Sequence, residues 1–140
     1  MSHYIYRRDR KPLSPREIIR LLREEFAYVV ASKKKGEAEV MHGLKYLLGL
    51  RRHGAPCPIG ELNAMIREDR DRLKQAYLVR CADDRKSKSA YLEFVLTRDT
   101  KIFIGYSSAQ HERDARPLLR RCAEAIGCVV GGHVSVEDDE

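Results

Sequence analysis

The apolar residues of this chain repeat at helical spacing in three segments between residue 15 and about residue 75, then at every second position in segments between residue 76 and residue 106. That switch of period constrains the fold more than any other feature. Helices come first and an antiparallel meander of short strands follows, so the helical and sheet layers are largely segregated along the chain.

The helical half opens on Ser14-Pro15-Arg16-Glu17. Serine before proline, with glutamate three positions on, has the form of a capping box with proline at the first helical position. Ile18, Ile19, Leu21 and Leu22 then mark a buried face, which predicts a helix over 15–25. The run 26–31 fits either an extension of that helix or a strand, and its aromatic and β-branched content favours the strand. Ser32-Lys33-Lys34-Lys35-Gly36 reads as a loop, followed by a helix over 37–52 that stops at Gly54. Prolines 56 and 58 make a rigid connector. A third helix is predicted over 59–75, with Leu62 and Ile66 inside.

The period-two half predicts strands at 76–81, 90–97 and 101–106. A helix over 111–126 follows, with Pro117 either kinking it or marking its first turn, and a last strand covers 128–136. Residues 3–7, His-Tyr-Ile-Tyr-Arg, alternate as a short strand or ordered arm. The expected fold is α+β: a two-layer structure with an antiparallel sheet, a meander plus a C-terminal strand, and about four helices packed mostly on one face. At 140 residues this is one domain, with a basic arm over 1–12 and an acidic tail over 137–140. The expected core draws on Ile18, Leu22, Leu44, Leu48, Leu62, Ile66, Leu92, Phe94, Ile102, Ile104, Leu119 and Val129.

Charge is unevenly spread. Residues 1–54 hold 13 Lys/Arg against 6 Asp/Glu, residues 55–89 hold 8 against 6, and residues 90–140 hold 6 against 9. A basic N-terminal part is the footprint of an anionic partner. Its clusters are Arg7, Arg8, Arg10 and Lys11 beside Tyr4 and Tyr6, then Lys33, Lys34 and Lys35, then Arg51 and Arg52. Cations to hold phosphate and flat rings to stack bases are both present. The leading expectation is a non-enzymatic module that binds nucleic acid or another polyanion. The alternative is a protein-interaction or homodimerisation module that uses the sheet face or an edge strand, the last strand above all.

Chemistry is less well supported. His53/Cys57 and Cys128/His133 are loose pairs too far apart in sequence for a zinc site. Cys57 follows Arg51, Arg52 and His53, cations that lower a thiol pKa when close. A Cys/His enzyme would therefore need at least two of Cys57, Glu93, His111 and His133 in one pocket. Strand alternation places Glu93 on the solvent side instead. The adjacent pairs Asp83-Asp84 and Asp138-Asp139 lie in loop or tail, where nothing drives two carboxyl pKa values apart. The glycines at 105, 131 and 132 fit no phosphate-loop pattern, and no cofactor is expected. No apolar run is long enough to span a bilayer. Without a leader or a Cys-x-x-Cys, the expected setting is a reducing cytoplasm with free thiols.

Overall fold

The computed structural model describes residues 2–54, 56–85 and 90–132. In chain order these form β1 (Ser2–Tyr6), α1 (Pro15–Glu25), β2 (Tyr28–Ser32), α2 (Lys33–Arg52), α3 (Ile59–Leu73), β3 (Tyr77–Ala82), β4 (Leu92–Leu96), β5 (Lys101–Gly105), α4 (Ala109–Ala125) and β6 (Val129–Gly132). The strands make one antiparallel sheet in the order β2-β3-β4-β5-β1-β6. The α+β class, the antiparallel sheet with four helices and the β3–β5 meander are as the sequence predicts. Strand β1 lies between β5 and β6, with Ile5 fully buried. Among the described residues β2 and β6 are the edges.

Alternation sorts the sheet into two faces. One carries Ile5, Val79, Cys81, Leu92, Phe94, Leu96, Ile102 and Ile104. It is covered by Ile18, Ile19 and Leu22 of α1 and by Ala115, Leu118, Leu119 and Cys122 of α4. Burying each of the large aliphatic chains stabilises the fold by about 1.5–3 kcal/mol. Ten of the twelve expected core residues are buried; Leu48 and Val129 are only partly so. Val129 sits on an edge strand, where one neighbour is missing.

The expectation of helices mostly on one face holds for α1 and α4. Helices α2 and α3 instead form a hairpin with its own small core of Leu44, Leu47, Leu62 and Ile66. That hairpin borders the opposite face of the sheet, where Glu39, Val40, Gly43, Asp69 and Arg72 meet Val95, Thr97 and Lys101 across a groove. Arg72 fastens α3 to the β4–β5 turn. Its Nε donates to Asp99 Oδ2 at 2.6 Å and its Nη1 to Asp69 Oδ1 at 2.7 Å.

Three local expectations are corrected. The segment 32–36 is not a loop but the cap and first turn of α2. Ser32 Oγ accepts from the Lys35 backbone N–H at 3.2 Å, and Gly36 lets the helix settle on β3. Ser14 makes no side-chain cap bond, and Glu17 turns to Arg20 instead of closing a capping box. The start of α1 rests on Pro15. Helix α4 begins at Ala109, because Ser108 Oγ accepts from the His111 N–H at 3.0 Å. Pro117 therefore lies inside the helix, on its exposed side.

Candidate nucleic-acid interface

Parity alone places Tyr4, Tyr6, Lys101 and Phe103 on the face that α1 and α4 do not cover. Antiparallel register then makes them neighbours: Tyr4 lies opposite Phe103, and Tyr6 opposite Lys101. The Tyr4 and Phe103 ring centroids are 6.2 Å apart, and those of Tyr4 and Tyr6 are 5.6 Å apart. Phe103 is 61% exposed. On the other side of β1, the Tyr4 ring leans over Gly131, where a Cβ would sit 2.6 Å from it. Glycine at 131 thus makes room for the ring.

Two cations lie over these rings. Lys101 Nζ is 4.6 Å from the Tyr4 centroid and Arg10 Cζ is 4.4 Å from the Tyr6 centroid. Each contact contributes about 0.5–1 kcal/mol at an exposed site. Arg10 reaches Tyr6 because the chain turns back after β1. The Arg10 N–H donates to the Arg7 carbonyl at 3.0 Å, and Arg10 adopts a left-handed φ of 59°. Further along this face Arg80 pairs with Glu93 at 3.9 Å, so Glu93 is on the solvent side, as alternation predicts. The result is a strip of three rings flanked by Lys101 and Arg10.

The other expected basic residues lie elsewhere. Arg7 is bound to Asp9 at 2.7 Å, and the Lys11 backbone N–H also donates to Asp9. Arg8 and Lys11 are exposed in the following turn. Lys33, Lys34 and Lys35 start α2 beside β2, about 19 Å of sheet away from β1. Arg51 and Arg52 end the same helix, about 27 Å along its axis from Lys33. The three clusters therefore occupy three places. Phe103 and Lys101 were not among the expected residues. The available signal was an aromatic at the solvent parity of a strand whose other parity holds Ile102 and Ile104.

No known family, curated protein or solved structure matches this chain. Its own geometry must carry any reading of function.

The residues of the Cys/His reading do not converge. Cys57 packs against the α2–α3 core, Glu93 lies on the open face, and His111 is buried under the sheet's other face. His133 and the acidic tail 137–140 lie outside the described residues. His111 is also fully engaged: Nδ1 accepts from the Ser107 N–H at 3.1 Å, so Nε2 holds the proton and donates to the Tyr91 carbonyl at 3.0 Å. Among the described residues no group of three His, Cys, Asp or Glu gathers to hold a metal ion, and no helix is long and apolar enough to cross a membrane.

A buried polar cluster went unpredicted. His3 Nδ1 and Tyr106 Oη are 3.0 Å apart, and His3 Nε2 lies 3.9 Å from Glu112. Glu112 in turn lies 3.8 Å from Arg116. Burial pushes the Tyr106 phenol pKa upward, and the Glu112 charge adds to it. Tyr106 therefore stays a phenol and hydrogen-bonds His3. This network ties β1 to α4, and so holds in place the strand that carries Tyr4 and Tyr6.

Proposed function

We propose that this protein binds single-stranded nucleic acid by stacking bases on Tyr4, Tyr6 and Phe103. The observation that carries the reading is the strip itself: three rings in contact on a sheet face, with Lys101 and Arg10 over them. A base that lands on a ring displaces the cation lying there, and the freed cation turns to the neighbouring phosphate. Unpaired strands are the fitting class, because duplex bases are already stacked on each other. Four cysteines free of disulfides suit the reducing cytoplasm as the place of action.

The test is fluorescence anisotropy with labelled single-stranded RNA and DNA, beside a duplex control, over a range of salt. Phe103→Ala is the decisive variant, since an exposed ring contributes little to folding. Losing one stacked base costs about 1–3 kcal/mol, so affinity falls roughly 5–150-fold. It falls by the same factor at every salt concentration, because stacking releases no counterions. Lys101→Gln instead flattens the salt slope by about 0.7 for the phosphate it neutralises. Absence of single-strand binding at low salt, or a Phe103→Ala affinity equal to wild type, would sink the proposal.

A second reading rests on Val30 and Val130, exposed valines on the edge strands β2 and β6. Two copies could pair edge to edge. Sedimentation that stays monomeric at high concentration excludes that reading.

A further inference from the structure

A cleft between the end of α2 and one side of α3 has no part in the strip described above. It is lined by Arg51, Gly60, Asn63, Ile66, Arg67 and Arg70 and encloses about 370 Å³. On α3 the spacing of residues 60, 63, 67 and 70 puts them along one face of the helix. Arg51 arrives from the last turn of α2. Ile66 belongs to the hairpin core and anchors the floor.

Three features mark this cleft as a binding site. First, it gathers three guanidinium groups and no carboxylate. Among the described residues, Arg51, Arg67 and Arg70 make no ion pair or side-chain hydrogen bond with the protein. Another arginine-lined cleft, between α1 and β2, is different: Arg20 there is bonded to both Glu17 and Glu24. Second, Asn63 Oδ1 is buried and has no hydrogen-bond partner. A buried polar atom left unsatisfied costs free energy unless something comes to meet it. An amide oxygen is met by a donor, so this atom calls for an O–H or N–H of the ligand, while phosphate oxygens accept from the arginines. Third, Gly60 lies in the first turn of α3, whose cap is Pro58, with no side chain to accept from the free N–H groups. Together these give forked donors, an unmet acceptor and helix N–H groups along one groove.

We infer that the Arg51–Arg67–Arg70 cleft binds a phosphate-bearing ligand. Planar forked guanidinium groups match the oxygens of a phosphate in pairs. The groove runs about 15 Å along α3 from Gly60 to Arg70, longer than one phosphate needs. It therefore suits a diphosphate or successive phosphodiesters. The same chemistry is offered by a free phosphorylated molecule and by a nucleic-acid backbone. The inference does not rest on the aromatic strip.

The experiment is titration calorimetry of the full chain with pyrophosphate. Wild type is expected to bind one pyrophosphate saturably. The Arg67→Gln/Arg70→Gln double variant should weaken it by tenfold or more, roughly the effect of losing charged hydrogen bonds. Arg113→Gln/Arg120→Gln removes the same charge from α4 and should bind as wild type does. Circular dichroism confirms that each variant is folded; the substituted arginines are all exposed. Single-stranded RNA then separates the two sources. A flatter salt slope in the Arg67→Gln/Arg70→Gln variant assigns the cleft to backbone phosphates, and an unchanged slope with lost pyrophosphate binding assigns it to a free phosphorylated molecule. Failure of wild type to bind pyrophosphate, or equal weakening by both double variants, overturns the inference. Phe103→Ala leaves pyrophosphate binding unchanged, so failure of the cleft and failure of the strip can be told apart.

Discussion

Gly36→Ala and Gly49→Ala add the same methyl group to the same helix, and the structure gives them opposite signs. A Cβ at Gly36 would lie 2.6 Å from the N, Cα and C atoms of Tyr77. Comfortable carbon contacts are about 3.5–4 Å, so α2 must move about 1 Å off β3. The obstacle is backbone, and no rotamer change relieves it. Overpacking of this kind costs about 3 kcal/mol at its upper end, offset by about 1 kcal/mol from alanine's better helix propensity. The net loss is about 2 kcal/mol. A Cβ at Gly49 meets nothing within 4 Å, so only the gain of about 1 kcal/mol remains. With an unfolding entropy near 2.1 cal/mol/K per residue, Gly36→Ala lowers Tm by about 7 °C and Gly49→Ala raises it by about 3 °C. Thermal melts followed by circular dichroism measure both. A Gly36→Ala protein that melts at or above wild type would refute the docking of α2 on β3 at this point.

Other outcomes follow from the caps and the buried thiols. Ser14→Ala should leave stability within about 0.5 kcal/mol, because its side chain caps nothing. Ser108→Ala should cost about 1 kcal/mol through the lost bond to the His111 N–H, read as a lower urea midpoint. In native protein at about pH 8, a disulfide reagent should label only Cys57, the one partly exposed thiol; Cys81, Cys122 and Cys128 should react only on unfolding, as desolvation disfavours their thiolates. Burial pushes the Cys81 pKa from 9.0 up to about 12, and raises those of Cys122 and Cys128. A raised folded pKa means the native state favours the neutral thiol. That stabilisation is complete below pH 9 and is lost as pH climbs toward 12. The urea midpoint should therefore drop as pH rises from about 9 toward 12, and a flat profile would contradict it.

What could be read from the residues was what local spacing controls. The bounds of α1 follow from Pro15 and the apolar rhythm of Ile18, Ile19 and Leu22, even though Ser14 and Glu17 do not cap it. The start of α2 was missed because its determinant is distant. Lys33 to Gly36 resemble a loop until Gly36 meets the Tyr77 backbone, 41 residues on. The position of β1 was equally hidden, since its partners Lys101–Gly105 and Val129–Gly132 lie at the far end of the chain. The same distance explains the half-legible site. Tyr4, Tyr6 and Arg10 stand out as rings interleaved with cations in one short segment. Phe103 and Lys101 join them only through the β1–β5 register.

Strand β5 shows why that register matters to both the fold and the site. Ile102 and Ile104 are almost fully buried, while Phe103 between them is 61% exposed. A slip of one residue would exchange the two sets, exposing both isoleucines and burying the Lys101 ammonium. The loss of the two isoleucines alone would exceed about 3 kcal/mol, so the core face holds the exposed face in register. The fold asks nothing comparable of residue 103: any strand former of solvent parity would satisfy the alternation. Among the described residues nothing covers that phenylalanine fully, and its ring forgoes most of the burial it could gain. Its neighbours in register are Tyr4 and, diagonally, Tyr6, with a cation over each tyrosine. Flat apolar partners that carry negative charge complement such a surface, and bases on a phosphate backbone have both properties.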